Sequence, residues 1–180
     1  TGLGVAALVP TPAGGIVVST EGGHVTLPGT SARDDAIIGV LRDRLGHVSA
    51  ESVLSGPGLV NLHDAIAVLD GTPHVARSGA EITASGLSGA CPVCRRTIDT
   101  FCAMLGTVAG NLALSFGARG GVYIAGGIAP RIVEHLKRSA FRERFEAKGR
   151  FRAYLEPIPI RVVLHADPAF VGLAAIARVG

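Results

Sequence analysis

Apolar residues near the start of the chain come in short runs that are typical of strands. Residues 5–9 are Val-Ala-Ala-Leu-Val and residues 16–19 are Ile-Val-Val-Ser. Between them, residues 10–15 include two prolines and two glycines, which favour a turn. We therefore predict a hairpin of two strands. The chain enters the first strand directly from a glycine turn, without an initiator methionine, so we expect further residues upstream.

Further along, apolar residues recur every three or four positions, as on one face of a helix. Ser31 and Asp34 form a capping-box pattern before the first such helix, which we expect to stop at Gly46. A second helix follows the turn at residues 55–58. The apolar faces of the two helices are Ile37, Ile38, Leu41 and Leu45, and Leu59, Leu62, Ile66 and Leu69. Residues 72–89 are polar and weakly patterned, and no regular element is predicted there.

The second half of the chain alternates helices with short strands. Cys91 and Pro92 suit the start of the longest helix, which runs past Leu114. The remaining predicted elements are a strand within residues 120–127, a helix over 130–137, a mixed-charge helix over 142–152, a strand over 160–165 and a helix from 167 to 176. This alternation predicts an α/β fold.

Composition and charge exclude several classes of protein. Hydrophobic residues make up 48% of the chain and charged residues 17%, so the chain buries a core and is not disordered. The net charge is +3, and much of the basic excess lies in residues 142–152, where phenylalanines at helical spacing favour an amphipathic helix over a nucleic-acid surface. The uncharged residues 100–118 include Asn111 and three glycines, which favours a buried helix over a membrane span. Three cysteines indicate a reducing compartment.

Three glycine-rich sites lie at residues 1–4, 21–24 and 120–127, where backbone N–H groups can approach a ligand closely. None of them matches the P-loop or dinucleotide patterns, and each alone is also explained by tight turns. Glu21 and His24 flank two glycines, so both side chains can converge on one small hydroxyl-rich ligand. Glu51, taken alone, is expected to be a solvated carboxylate.

The cysteines permit two interpretations. Cys91 and Cys94 have the spacing of a zinc-ligand pair, with Cys102 further on. However, only one such pair exists, and Cys94 and Cys102 share a helical face with Ile98 and Leu105, which favours buried thiols. Gly106-x-x-x-Gly110 is interpreted as a site of close helix packing. We therefore predict no metal site.

The order of the motifs along the chain resembles the bacterial glucokinase family. The matching motifs are Thr1-Gly-Leu-Gly4, Glu21-Gly-Gly-His24, His47-Val-Ser-Ala-Glu51, residues 53–62, Cys91-x-x-Cys94, Gly110-Asn-Leu-Ala-Leu114, residues 121–131 and Lys148-Gly-Arg-Phe151. The resemblance implies an actin-like, RNase H-like ATPase domain with a mixed sheet flanked by helices. It also implies that residues 1–180 are the family's larger C-terminal domain and that the small N-terminal lobe is absent from this chain.

The same resemblance implies the site and the reaction. Glucose would be held by Glu21, His24 and Glu51, and the nucleotide by Thr1, Gly2, Gly4, Gly126 and Gly127. The reaction transfers the γ-phosphoryl of ATP to the 6-hydroxyl of glucose, with Mg²⁺ on the phosphates and an aspartate as general base. That aspartate belongs to an Asn-Asp pair expected in the absent lobe, so we predict no catalytic residue in this chain and little turnover by it alone. The resemblance further implies a cytoplasmic homodimer, with no nucleic acid or membrane partner.

Two other functions remain open. The chain could belong to a sugar-binding or regulatory module of the same fold that never catalyses. It could also belong to a kinase for another hexose, since the sequence does not exclude an epimer of glucose.

Overall fold

A computed structural model describes residues 2–12 and 14–177, apart from the side chain of Ile176. It opens with the predicted hairpin. Strand β1 (Val5–Thr11) pairs antiparallel with β2 (Gly14–Thr20), with Val5 opposite Thr20. Much of this hairpin is exposed, because its apolar residues lie outside the main core cluster.

Four helices follow: α1 (Ala32–Leu45), α2 (Gly56–Leu69), α3 (Gly79–Ser88) and α4 (Pro92–Phe116). Ser31 Oγ accepts from the Asp34 N–H at 3.1 Å, as predicted. The reciprocal half of the capping box is absent in this described stretch, because the Asp34 carboxylate accepts from Thr30 N and Oγ1 instead. The predicted apolar face of α1 is correct for three residues, whereas Leu45 in the last turn is exposed.

Helix α3 was not expected, because its residues are too polar and glycine-rich to show a helical period. Its start nevertheless has a complete capping box. Ser78 Oγ accepts from Glu81 N at 3.3 Å, and the Glu81 carboxylate accepts from Ser78 N at 2.7 Å. The Ser-x-x-Glu pattern was therefore the available signal for this helix.

The rest of the chain consists of short elements between two parallel strands. They are β3 (Val122–Ile124), a 3₁₀ turn (Ala129–Ile132), α5 (Val133–Leu136), α6 (Phe141–Glu146), a second 3₁₀ turn (Gly149–Phe151), α7 (Arg152–Leu155), β4 (Ile160–Val162) and α8 (Pro168–Ala177). In β3 and β4, Val122 lies opposite Ile160. Parallel and antiparallel pairing thus both occur, in two separate two-stranded sheets within the described residues.

The predicted single helix over residues 142–152 is wrong. The segment breaks after Glu146, and Gly149 adopts a φ of +55°, which a continuing α-helix does not allow. Phe141 and Phe145 are buried on α6 as expected, whereas Phe151 lies beyond the break and is exposed. The predicted strand at 160–165 is likewise shorter, with only three residues in β4.

Helix α4 is the centre of the core and packs against α2, α3 and α6. The contact with α6 depends on the two glycines of the G-x-x-x-G pattern. A Cβ at Gly106 would lie 2.1 Å from the Phe141 carbonyl oxygen, and one at Gly110 would lie 2.4 Å from that of Phe145. The prediction of close helix packing is therefore confirmed. Helix α4 is long and apolar enough to span a membrane, but 72% of its most apolar stretch is buried inside this fold.

A largely buried ion pair connects α1 to α6, the helix that packs against α4. Arg144 Nη2 on α6 lies 2.5 Å from Asp34 Oδ2 on α1, and Arg144 Nε donates to Thr107 Oγ1 on α4. Burial alone would raise the pKa of Asp34. Hydrogen bonds from Arg144 and Thr30 outweigh it and hold that pKa below its usual value. The capping-box pattern indicates only a role for Asp34 at the start of α1, and the ion pair with Arg144 is a second role.

Candidate functional site

The loop containing Glu21 and His24 is a short 3₁₀ turn (Gly22–His24) that directly follows the hairpin. Both side chains point to solvent, with 91% of Glu21 and 61% of His24 exposed, and His24 Nε2 lies 3.8 Å from Glu21 Oε2. Between them Gly23 is buried, and a Cβ there would lie 2.0 Å from the Leu3 carbonyl oxygen. Glycine at this position therefore lets the loop lie directly against residues 2–4.

Glu51 joins these two segments. Its backbone N–H donates to the Gly23 carbonyl at 2.8 Å, and its Oε2 accepts from the Leu3 N–H at 2.7 Å. Gly2 gives the carboxylate room, because a Cβ at Gly2 would lie 1.9 Å from Oε2. The expectation of a solvated carboxylate is therefore wrong, and Glu51 is half-buried between the loops that contain Gly2 and Gly23.

A cavity of about 300 Å³ opens beside Glu51. It is lined by Gly2, Glu51, Ser52, Ser55, Pro57 and Asn61. Ser55 Oγ caps α2 by accepting from Gly58 N, and Asn61 Nδ2 donates to the Ser52 carbonyl, so the lining is held by its own hydrogen bonds. Sequence reasoning assigned no role to Ser52, Ser55 or Asn61, although all three lie within or beside the motif at residues 53–62. Their oxygen and nitrogen atoms suit a ligand rich in hydroxyls.

The structure describes four of the five residues that were predicted to bind the nucleotide. Gly2 and Gly4 lie beside Glu51 and the start of β1, whereas Thr1 lies outside the described residues. Gly126 and Gly127 follow the carboxyl end of β3, where ligands commonly bind in open α/β sheets. Gly126 has a φ of +115°, and a Cβ at either glycine would meet nothing within 4 Å. No hydrogen bond between described residues links this glycine pair to the group around Glu51.

A second cavity, of about 620 Å³, lies next to the segment that follows Gly127. Its lining is strongly basic and consists of Leu87, Arg95, Arg138 and residues 130–135. Within it, His135 Nδ1 lies 2.9 Å from Arg95 Nη1, and His135 Nε2 lies 2.7 Å from Asp99 Oδ1. A neutral imidazole that donates from Nε2 to Asp99 and accepts at Nδ1 satisfies both contacts. Sequence reasoning missed this cavity, because Arg95 and His135 lie 40 positions apart.

Metal-binding groups do not assemble in the part of the chain that the structure describes, where no three His, Cys, Asp or Glu side chains lie close enough to share an ion. Cys94 and Cys102 are buried, as predicted from the helical face that they share. A Mg²⁺ site built from protein ligands alone is likewise not formed by the residues that the structure describes.

The comparison with protein families decides how these features are interpreted. The model of the glucokinase family matches residues 1–179. This chain belongs to the glucokinase family. Among curated family members, the glucokinase of Paramagnetospirillum magneticum is 54% identical over 98% of this chain and 55% of its own length. That of Neisseria meningitidis is 51% identical over 97% of this chain and 53% of its own length. The chain thus spans about half the length of the relatives it matches.

Solved structures agree with the family assignment. The crystal structure of a glucokinase from an Antarctic psychrotroph superposes with a TM-score of 0.93 at 39% identity, covering 100% of this chain and 56% of that chain. The glucokinase of Balamuthia mandrillaris, solved in complex with glucose, superposes with a TM-score of 0.79 at 22% identity, covering 89% of this chain and 46% of that one. The expected family and its actin-like α/β fold are therefore both confirmed.

Proposed function

We propose that this chain is the larger C-terminal domain of an ATP-dependent glucokinase that phosphorylates glucose to glucose 6-phosphate. The observation that carries the proposal is the position of Glu51. Its backbone bonds to the Glu21–His24 loop and its carboxylate to Leu3 N, so the proposed sugar loop and the proposed nucleotide-binding segment at Gly2 and Gly4 form one connected unit. A sugar and a phosphoryl group must approach each other in the reaction, and these two loops are in contact.

In this proposal, the sugar is held by hydrogen bonds to charged side chains. Glu21 and Glu51 accept from sugar hydroxyls, and His24 donates to or accepts from another. Glu51 Oε2 already accepts from Leu3 N, which orients the carboxylate and leaves Oε1 for a hydroxyl. Hydrogen bonds to ionised groups are stronger than neutral ones and supply the discrimination between hydroxyl positions.

The nucleotide is proposed to lie along Gly126 and Gly127 at the carboxyl end of β3. The absence of side chains at both positions leaves an open surface for a flat adenosine group. The adjacent cavity presents Arg95, Arg131 and Arg138, whose charges favour an anionic ligand nearby. Mg²⁺ is proposed to arrive with the phosphates of ATP.

The general base is proposed to lie in a second lobe outside this chain. Exposed apolar surface supports this division. On the hairpin, Leu8 is 68% and Val17 63% exposed, and on α8 Phe170 is 70% exposed. Leu8 and Val17 lie opposite each other in the hairpin, and adjacent exposed apolar side chains are typical of a surface that another domain covers. We further propose that the whole protein is a cytoplasmic homodimer.

The decisive experiment uses the complete reading frame in a coupled assay for glucose 6-phosphate. We expect ATP-dependent turnover, and a fall in kcat/KM of roughly 10- to 100-fold in Glu21→Gln, because one hydrogen bond from a charged group is worth about 1.5–3 kcal/mol. Glu143→Gln, at an exposed position of α6, is the matched control and should retain full activity. Turnover that survives Glu21→Gln unchanged would contradict the proposed sugar loop.

The same assay separates the alternatives. Glucose binding without any turnover in the complete protein would favour a non-catalytic sugar-binding module. A larger kcat/KM for an epimer of glucose would favour a kinase for another hexose. The coding DNA upstream of Thr1 offers an independent check, since the proposal requires it to encode the Asn-Asp pair that contains the general base.

A further inference from the structure

Cys91 and Cys94 lie at the first turn of the longest helix, in positions that differ in accessibility. Cys91 is the N-cap of α4, with φ −134° and ψ 113°, and its side chain is half-buried. Its Sγ accepts from the Cys94 N–H at 3.4 Å. Cys94 lies inside the helix and is completely buried. An accessible sulfur therefore lies beside a shielded one.

We propose that Cys91 and Cys94 are a redox-active dithiol that closes reversibly into a disulfide. Cys91 Sγ already lies 3.4 Å from the Cys94 backbone nitrogen, and a disulfide needs Cβ atoms about 3.8 Å apart, so closure requires Cys91 to move toward the Cys94 side chain. Cys91 can make that movement because an N-cap residue lies outside the regular helical backbone. Cys94 cannot, because its carbonyl oxygen would lie only 2.7 Å from a Cβ at Gly86, which shows how closely α3 packs against it.

The environment divides the two sulfurs into an attacking and a resolving partner. The hydrogen bond from the Cys94 N–H lowers the pKa of Cys91. Burial, together with the neighbouring Cys91, raises the pKa of Cys94 to about 11. Cys91 is therefore the sulfur that loses its proton more easily, and the Cys94 thiol holds its proton more tightly.

Arg77 supplies a second, independent feature of this pair. Its positive charge contributes to the lowered pKa of Cys91 and offsets part of the rise in the pKa of Cys94. Its Nε is buried and has no hydrogen-bond acceptor among the residues that the structure describes. A buried donor without an acceptor is costly, so this guanidinium gains from negative charge in its neighbourhood. The guanidinium thus favours the anionic state that thiol exchange requires.

The reaction balances with a small-molecule disulfide as the oxidant. The Cys91 thiolate attacks one sulfur of the disulfide, forms a mixed disulfide and releases the other half, which takes up a proton. Cys94 then loses its proton and attacks Cys91 Sγ, which closes the Cys91–Cys94 bond and expels the second half as a thiol. The protein gives up two electrons and two protons, and the oxidant becomes two thiols. In a reducing compartment this disulfide would be transient.

Cys102 provides an internal control. It is completely buried two turns further along α4, and burial raises its pKa to about 12. A thiol this shielded should not react while the protein is folded. Oxidation confined to the other two cysteines would therefore reflect their geometry and not a general loss of structure.

The test incubates the folded, purified protein with glutathione disulfide, then unfolds and alkylates it and locates free thiols by peptide mass spectrometry. We expect Cys91 and Cys94 to lose their free thiols together, with no glutathione retained, while Cys102 stays fully alkylated. Reduced glutathione in excess should restore both thiols. The proposal is overturned if both cysteines remain free, or if the unmodified protein keeps glutathione on Cys91.

Two variants confirm the order of events. In Cys94→Ser the resolving thiol is missing, so glutathione should remain attached to Cys91. In Cys91→Ser the Cys94 thiol should stay free, and the fold should persist because serine is itself a favourable N-cap. Equal glutathione attachment at Cys94 in Cys91→Ser would contradict the assignment of the attacking sulfur. None of these measurements depends on kinase activity, so they stand apart from the proposed function.

Discussion

Gly106 on α4 has room for only a hydrogen atom beside the Phe141 carbonyl of α6, so Gly106→Ala is expected to destabilise the protein. The new Cβ would lie 2.1 Å from that oxygen, where ordinary contacts begin at 3.4 Å. Helix α6 would have to retreat by more than an ångström. It cannot do so freely, because Arg144 bonds to Asp34 and Lys148 Nζ donates to the Thr107 carbonyl at 3.2 Å.

The size of the expected destabilisation follows from two opposed effects, overpacking and helix propensity. Overpacking a core costs about 1–3 kcal/mol, and the rigid backbone neighbour places Gly106→Ala near the upper end. Alanine is better than glycine inside a helix by about 1 kcal/mol, which offsets part of the cost. We therefore expect a net destabilisation of about 2 kcal/mol, or a fall in Tm of roughly 4–8 °C for a domain of this size.

Gly39→Ala in α1 is the matched control. It makes the same substitution inside a helix, but its Cβ would meet nothing within 4 Å. Only the higher helix propensity of alanine acts here, so the free energy of unfolding should rise by about 0.5–1 kcal/mol. Urea unfolding followed by circular dichroism measures both variants, and an unchanged m-value would show that the denatured state is comparable. A Gly106→Ala variant as stable as Gly39→Ala would refute the packing argument.

Three further predictions concern the ion pair and the site. In Asp34→Asn the free energy of unfolding should fall by about 3 kcal/mol, because the largely buried Arg144 loses the carboxylate that it pairs with. In the unmodified protein this contribution is present at neutral pH and is lost as the pH falls through the lowered pKa of Asp34, so unfolding in acid should show a pH dependence that the variant lacks. Gly2→Ala should displace Glu51 and raise KM for glucose, whereas Gly39→Ala in α1 should leave that KM unchanged. Equal values of KM for the two variants would contradict the position of the Glu51 carboxylate against Gly2. Gly127→Ala should raise KM for ATP while leaving Tm unchanged, and an unaltered KM would remove this glycine from the nucleotide surface.

Elements with a strong local pattern were predictable. The hairpin, α1, α2 and α4 each combine apolar periodicity with a turn or cap residue, and the structure contains all four. Helix α3 was missed because the apolar residues in its sequence have little helical period. It is stabilised by a capping box and by packing against α4. The segment after Glu146 was misjudged because phenylalanines at helical spacing continued past a glycine that ends the helix.

The sugar and nucleotide motifs could be identified from residue order alone, because short glycine-containing loops keep their chemistry in consecutive positions. The position of Glu51 could not be predicted from residue order. It depends on contacts with Leu3 and Gly23, which are 48 and 28 positions away. The basic cavity likewise needs α4 and α5 to bring Arg95 and His135 together. Local sequence determines backbone preference and residue type. Burial, ion pairing and the direction of a pKa shift depend on which distant segments the fold brings into contact.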